Sequence, residues 1–326
     1  MISESPVLYI EDLKTHFFTR DGVVKAVDGV NLSLTPGKII GLVGESGSGK
    51  SVTGFSILGL VDHPGCIVNG IIRFKESDLR TFSEKELRHL RGNGISMIFQ
   101  DPMMTLNPVL RIDLQMTEAI RTHDKSVDRK TALARCVDAL KQVGISEPEK
   151  RLKAYPHQFS GGMRQRVAIA IALLNKPDVI IADEPTTALD VTIQSQILCQ
   201  VQKLCRENNT AMIWITHDLA VVAGLADRIH VMYAGRIVEE GETSDIIDNP
   251  LHPYTAGLIN SVPGNTHRGK PLKQIPGMTP SLLNLPGGCA FRLRCSRADS
   301  KCENSPPVKE PAPGHKVHCF NPYLKS

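Results

Sequence analysis

The sequence predicts an α/β protein: a mostly parallel sheet with helices, an antiparallel β portion at the start, an inserted helical layer, and a small cysteine-rich segment at the end. Three observations carry this. Short apolar runs alternate with helical patterns, as parallel strands and their crossover helices do. A glycine-rich loop, GESGSGKS at Gly44 to Ser51, stands between a strand pattern and a helix pattern. Four of the eight cysteines fall within the last 38 residues.

In chain order, Val7 to Phe18 and Val23 to Leu34 read as strands joined at an Asp21-Gly22 turn, and Lys38 to Val43 as a short apolar strand. Ser51 to Leu60 turns helical. From Phe82 to Pro156 the chain is more polar, and its Glu-, Lys-, Arg- and Leu-rich stretches (Ser83 to Arg91, Val127 to Val143) predict an inserted helical subdomain, about residues 82–160. The α/β pattern then returns, with a helix at Gly162 to Leu174, a strand at Val179 to Ala182, a helix at Val191 to Glu207 and a strand at Ala211 to Thr216. His230 to Tyr233 and Arg236 to Val238, split by Ala234-Gly235, read as a last hairpin. Prolines and glycines crowd the chain from Asn249, which predicts a domain boundary near residue 260: a domain of 1–260 and a second of 261–326. The second has few aliphatic residues, and domains of that size commonly need a metal or cross-links.

Composition excludes several classes. The chain has 326 residues, 41% hydrophobic and 22% charged, enough for a sizeable core. Its longest clean apolar run, the eight residues Val167 to Leu174, is far short of the roughly 18 to 20 a membrane-spanning helix needs. The N-terminus MISESPVLYIED carries acids and no basic flank leading into an apolar stretch, so no secretory signal is expected and the chain is placed in the cytoplasm. A net charge of +4 without a polybasic run predicts no nucleic-acid partner. In a reducing compartment, four local thiols (Cys289, Cys295, Cys302, Cys319) suggest a metal or cluster site over a disulfide framework. Cys66, Cys136, Cys199 and Cys205 are expected as buried small hydrophobes.

The loop Gly44-Glu45-Ser46-Gly47-Ser48-Gly49-Lys50-Ser51 fits the eight-residue pattern that cradles phosphates. Its fixed positions arise by chance in about one chain in a hundred of this length, and the strand and helix around it lower that further. Its glycines let backbone N–H groups point at phosphate oxygens, and the helix that follows aims its positive end at the same place. Lys50 supplies a point charge to the β- and γ-phosphates, and the Ser51 hydroxyl is placed for Mg²⁺. The matching acidic strand is VIIADE, Val179 to Glu184, which brings carboxylates to the C-terminal edge of a parallel sheet. Asp183 is expected to help hold Mg²⁺, and Glu184 to polarise the attacking water as general base. The alternative for such a pair is a solvated strand end.

FSGGMRQR at Phe159 to Arg166 resembles the signature of ATP-binding-cassette ATPases, and a set of ordered motifs agrees with it over about residues 6 to 250. The resemblance implies that Gln100, in IFQDP, is the Q-loop glutamine at the γ-phosphate, Mg²⁺ and water. It implies likewise that Ala188 to Asp190 form the D-loop, with Asp190 at the nucleotide interface, and that His217 in ITHD bonds the γ-phosphate. Phe17 lies where the family stacks an aromatic on adenine, with Phe18 beside it as the alternative. Ser160, Gly161 and Gly162 would meet the ATP of an opposite subunit. One chain holds one copy of each motif, so a dimer of nucleotide-binding domains is implied, with a second ATPase subunit that is identical or homologous.

Three further stretches resemble the ATPase subunits of oligopeptide and dipeptide importers: NPLHPYTAGL (Asn249 to Leu258), IPGMTPSL (Ile275 to Leu282) and the tail from LPGGCAFRLRC. Members of that branch hold a [4Fe-4S] cluster through four such thiols, which implies one at Cys289, Cys295, Cys302 and Cys319. Zn²⁺ is the alternative, weakened by the lack of paired C-x-x-C knuckles. The implied function is ATP hydrolysis that energises import of di- or oligopeptides. The implied partners are two transmembrane permease subunits and an extracytoplasmic peptide-binding protein, at the cytoplasmic face of the bacterial cell membrane. Alternatives are another solute of related importers (nickel, an opine, a modified peptide) or a soluble ATPase of the family not tied to transport.

Overall fold

The computed structural model describes residues 5–101, 105–187, 189–261 and 274–324. Ala188 of the expected D-loop lies outside them, as do residues 262–273, where the expected second domain begins. The chain divides into two compact units. One comprises Met1–Val7, Leu34–Lys38 and Thr81–Ile213; the other comprises Leu8–Ser33, Ile39–Arg80 and Trp214–Ser326.

The second unit opens with β1 (Leu8–Thr19) and β2 (Gly22–Leu34), whose alternating burial marks strands with one covered face. With β4 (Gly65–Phe74) and β5 (Ser77–Asp78), two strands the sequence did not announce, they form a four-stranded sheet in the order β2-β1-β4-β5. Between them run β3 (Ile39–Val43), buried at every residue, and α1 (Lys50–Ile57). Such an unbroken apolar run is what a strand covered on both faces requires. β3 pairs in parallel with β9 (Arg228–Tyr233), with Val43 opposite Val231. β9 turns through Ala234 and Gly235 into the antiparallel β10 (Arg236–Glu242), the expected hairpin.

The C-terminal segment joins this unit. It adds β11 (Val308–Ala312) and β12 (His315–His318), and β12 pairs with β10, Val317 opposite Glu239. Val317 and Cys319 pack with Leu251 in a small core cluster. Beneath them Glu239, fully buried, accepts N–H bonds from Leu251 (2.7 Å), His252 (2.8 Å) and the His315 ring (2.8 Å). A carboxylate buried without such donors would cost several kcal/mol, so this cluster is a fixed point of the unit.

The first unit carries β6 (Ile95–Ile98), parallel to β7 (Val179–Asp183), and a group of helices. These are α2 (Glu84–Leu90), α3 (Ile112–Arg121), α4 (Arg129–Gln142), α5 (Pro148–Arg151), α6 (Gly161–Leu173) and α7 (Val191–Glu207). α2 starts with a capping box of Ser83 and Glu86, and α4 with Asp128 accepting from the Thr131 amide. α3 buries Ile112, Met116 and Ile120 at four-residue steps, and α4 buries Ala132, Cys136, Ala139 and Leu140, the stripe an amphipathic helix presents to a core. α6 is buried almost all round from Gln165 onward. Beyond β8 (Ala211–Thr216), a short α8 (Leu219–Ala223) lies in the second unit, as do α9 (Thr243–Asp248) and α10 (Pro253–Asn260).

Candidate nucleotide site

The expected site residues divide between the units. The phosphate loop, Phe17 and His217 belong to the second; Gln100, Asp183, Glu184, Ser160 to Gly162 and Asp190 belong to the first.

The loop leaves β3 at Gly44 and enters α1 through Gly49, which has φ 103°. Two of its glycines are sterically obligatory. A Cβ at Gly44 would stand 2.1 Å from the Met232 carbonyl oxygen, and one at Gly49 would stand 2.1 Å from that of Ala26. Gly47 (φ 77°) faces open space, so conformation and not crowding selects glycine there. Ser46 and Gly47 are exposed, whereas Ser48 and Lys50 are buried. Lys50 Nζ donates to the carbonyls of Gly44 (2.8 Å) and Glu45 (3.0 Å), which draws the ammonium into the arch of the loop. Ser51 follows it on the first turn of α1.

Glu45 has its own set of partners, all from residues far along the chain. Its amide donates to the Tyr254 hydroxyl (2.8 Å). Its carboxylate receives Arg294 through both terminal nitrogens (2.6 and 3.0 Å) and the Thr279 hydroxyl (2.8 Å). Burial alone would raise the Glu45 pKa, yet the bonds from Arg294 and Thr279 hold it below the usual carboxylate value. Arg294 is itself buried and raised by the bond to Glu45. Its guanidinium lies 5.9 Å from the ring centres of Tyr233 and Phe291, and its Nε donates to the Pro276 carbonyl (2.9 Å). The available signal was that Tyr254, Thr279 and Arg294 each fall in one of the three C-terminal stretches singled out by resemblance.

On β1, Thr15 Oγ1 lies 2.7 Å from Ser56 Oγ on α1, so that face of the strand looks toward the helix that follows the loop. Phe17, two residues on, shares the face and packs against Gly65, where a Cβ would meet its ring at 2.6 Å. Phe18 is on the other face and 51% exposed. His217 is exposed just past β8, ahead of Asp218, whose carboxylate caps α8 by accepting from the Ala220 amide.

In the first unit, β7 ends on buried Asp183. Glu184 follows with φ 44°, a left-handed backbone that non-glycine residues seldom adopt outside functional turns. Its Oε2 accepts from the Thr187 hydroxyl (2.9 Å) and, at 3.5 Å, from Gln100 Nε2. The register explains that meeting: Ile98 of β6 stands opposite Ala182 of β7, so two residues further on Gln100 and Glu184 come level. Ser160 caps α6 by accepting from the Met163 amide (3.3 Å). Gly161 faces open space, and Gly162 packs toward Ile193 of α7, where a Cβ would stand at 3.0 Å. Asp190 caps α7 through the Ile193 amide (2.9 Å), a structural duty beside the expected one.

Of the four cysteines expected to be buried hydrophobes, Cys136 and Cys205 are buried, whereas Cys66 on β4 and Cys199 on α7 are exposed. The four C-terminal cysteines are free thiols, Cys302 and Cys319 buried and Cys289 and Cys295 half-buried. Burial raises the Cys289 and Cys295 thiols and pushes Cys319 up to about 11, with the other three thiols adding to the rise at Cys319. Among the described residues no three His, Cys, Asp or Glu side chains stand close enough together to hold a metal ion. The thiols serve local partners: Cys302 Sγ donates to Asp299 (3.5 Å), and Cys295 Sγ accepts from the Arg297 amide (3.4 Å).

Residues 27–187 match the family described as ABC transporter, and residues 238–302 match the oligopeptide/dipeptide transporter C-terminal region. The oligopeptide transport ATP-binding protein OppD of Escherichia coli (strain K12) is 49% identical over 97% of this chain and 93% of its own length. The chain belongs to the ABC transporter ATPase family. As a cassette of this family it binds and hydrolyses ATP. AppD of Bacillus subtilis (strain 168), also an oligopeptide transport ATP-binding protein, is 48% identical over 97% of both chains. Among solved structures, the cassette MJ0796, in a dimeric post-hydrolysis state with ADP and Pi, superposes with a TM-score of 0.66 at 26% identity. That match covers 72% of this cassette and 98% of MJ0796. No helix among the described residues is long and apolar enough to cross a membrane.

Proposed function

We propose that this cassette is the ATP-hydrolysing subunit of an importer for di- and oligopeptides. The observation that carries the reading is the near-full-length similarity to oligopeptide transport ATP-binding proteins, C-terminal region included. In it the cassette pairs with a second, homologous ATPase subunit and works at the cytoplasmic face of the membrane on two permease subunits fed by an extracytoplasmic peptide-binding protein. The dimeric state of MJ0796 supports pairing, and the exposed Ser160-Gly161 turn is free to meet a partner's nucleotide.

The roles follow from the side chains. Lys50 turns its ammonium from loop carbonyls to the β- and γ-phosphates, and Phe17 stacks on adenine from the β1 face that looks toward α1. Glu184 takes the proton of the attacking water, with Gln100 and Thr187 orienting its carboxylate. His217 bonds the γ-phosphate. Ser51, Asp183 and Gln100 offer hydroxyl, carboxylate and amide oxygens, a hard donor set suited to Mg²⁺. Bound there, such an ion would supply positive charge to offset that developing on the phosphates. The four tail thiols are read as holders of a structural [4Fe-4S] cluster, on their mutual electrostatic reach and freedom from disulfides. This requires Cys295 and Cys302 to leave their present partners. Absorption spectra of anaerobically purified protein test it; a colourless sample with one zinc per chain rejects it.

The import reading is tested with the complete complex in proteoliposomes. ATP hydrolysis is expected to rise when peptide-loaded binding protein is added, with labelled peptide accumulating inside. Turnover that ignores peptide, or follows nickel or an opine instead, overturns it.

A further inference from the structure

We infer that the C-terminal segment is a clamp on the phosphate loop, with Arg294, Thr279 and Tyr254 acting as positioning residues for nucleotide binding through Glu45. The inference rests on ATP binding at that loop and goes beyond it.

Glu45 is the one acid in a loop built to receive a polyanion. A carboxylate facing the phosphates would repel them and would compete for Lys50. The structure removes it from that competition by giving it partners from 209, 234 and 249 residues away in sequence. Arg294 meets it bidentately, the geometry in which a guanidinium binds a carboxylate most specifically. Arg294 in turn has little freedom: buried, between the rings of Tyr233 and Phe291, and tied to the Pro276 carbonyl. Phe291 stacks edge-on to Tyr233 at 5.3 Å and lies 5.4 Å from Tyr254, so the three rings and the guanidinium form one packed unit. Tyr254 holds the loop by its backbone, since the Glu45 amide donates to its hydroxyl.

The grip reaches the lysine as well. Glu45 offers its carbonyl to Lys50, its amide to Tyr254 and its carboxylate to Arg294 and Thr279, so its position fixes the arch on which the ammonium rests. Each C-terminal stretch contributes one contact, Tyr254 from NPLHPYTAGL, Thr279 from IPGMTPSL and Arg294 from FRLRC. A segment that served only to bury apolar surface would not aim three polar groups at one residue of the loop.

The test uses the full-length chain and titrates it with a fluorescent ATP analogue, with thermal melting as a check on folding. Wild-type protein should bind; failure there defeats the nucleotide reading and not the clamp. Arg294→Ala should weaken binding about tenfold, because Glu45 is left charged at the loop without its bidentate partner. Arg294→Lys should recover part of that loss, having charge without the fork. Tyr254→Phe should cost about threefold, one hydrogen bond on the loop backbone. In the assembled complex the KM for ATP should rise with kcat unchanged per folded molecule, whereas general damage to the fold lowers kcat and leaves KM alone. If Arg294→Ala does not fold, Arg294→Lys and Tyr254→Phe decide. Wild-type affinity in the folded variants overturns the clamp.

Discussion

Acid should destabilise this cassette well before its carboxylates are protonated, and His252 allows that to be measured. His252 is almost fully buried at the start of α10, where its Nδ1 accepts the Tyr254 amide proton at 3.0 Å. That bond requires the neutral ring. Burial, with His318 nearby, lowers its pKa to about 3, and burial lowers that of His230 to about 4 despite Glu240 at 3.4 Å. Both values lie below the unfolded value of about 6.5, so between pH 6.5 and those values the unfolded chain binds protons that the folded chain refuses. Stability is therefore fully present above about pH 6.5 and falls with pH below it. Each ring contributes a slope of about 1.4 kcal/mol per pH unit, or about 2 kcal/mol between pH 7 and pH 5. Together they remove about 4 kcal/mol from a folding free energy of typically 5 to 15 kcal/mol. The perturbation is His252→Asn, since asparagine is a good helix cap that does not titrate. The assay is urea unfolding at pH 7.5, 6.0 and 5.0, followed by fluorescence of Trp214, the single tryptophan and fully buried. The variant should start lower, from the lost ring packing against Phe291, and lose about 2 kcal/mol less than wild type between pH 7 and pH 5. A variant whose stability falls with pH as steeply as wild type would show that His252 is not held neutral by burial, and the reasoning fails.

Glu184→Gln should keep ATP affinity while turnover drops by about two to four orders of magnitude, and should trap the paired cassettes. Phosphate release and size-exclusion chromatography with ATP check this; unchanged ATPase activity would remove Glu184 from the role of base. Lys50→Ala should instead weaken nucleotide binding itself, read by titration with the same ATP analogue, because the ammonium on the loop arch is gone.

What the sequence made legible were the features written in local pattern. β3, β7 and β8 are uninterrupted apolar runs, and the loop after β3 is a fixed spacing of glycines, lysine and serine, so strand, loop and helix could be read together. The misses have local causes too. β6 is four residues long with a serine and no turn residue to end it, yet it brings Gln100 level with Glu184. α3 has Arg111 where a cap belongs, and its first amides are satisfied by the carbonyls of Ala154 and Leu152, some forty residues away. β11 and β12 carry Lys, Glu, Pro and His in place of an alternating apolar face.

The same limit explains why the partners of Glu45 stayed hidden. Motif reasoning assigns a loop its phosphate contacts, which the motif's own residues make, and is silent on what holds the loop in place. Glycines at Gly44, Gly47 and Gly49 let the loop take its shape, but they also make that shape costly to maintain, since an unrestrained glycine loses more entropy on ordering than any other residue. Some of that ordering must be supplied from outside. Backbone contact supplies part: the Gly235 amide bonds the Ser48 carbonyl, and the crowding at Gly44 and Gly49 leaves no slack. The C-terminal contacts to Glu45 supply the rest on the one stretch, Glu45 to Gly47, whose following residues Ser46 and Gly47 are exposed. A residue between two of the tail cysteines thus bears on the affinity of a loop nearly 250 positions earlier. Arg294→Ala, read by titration with the ATP analogue, should therefore weaken nucleotide binding even though every ATP motif remains.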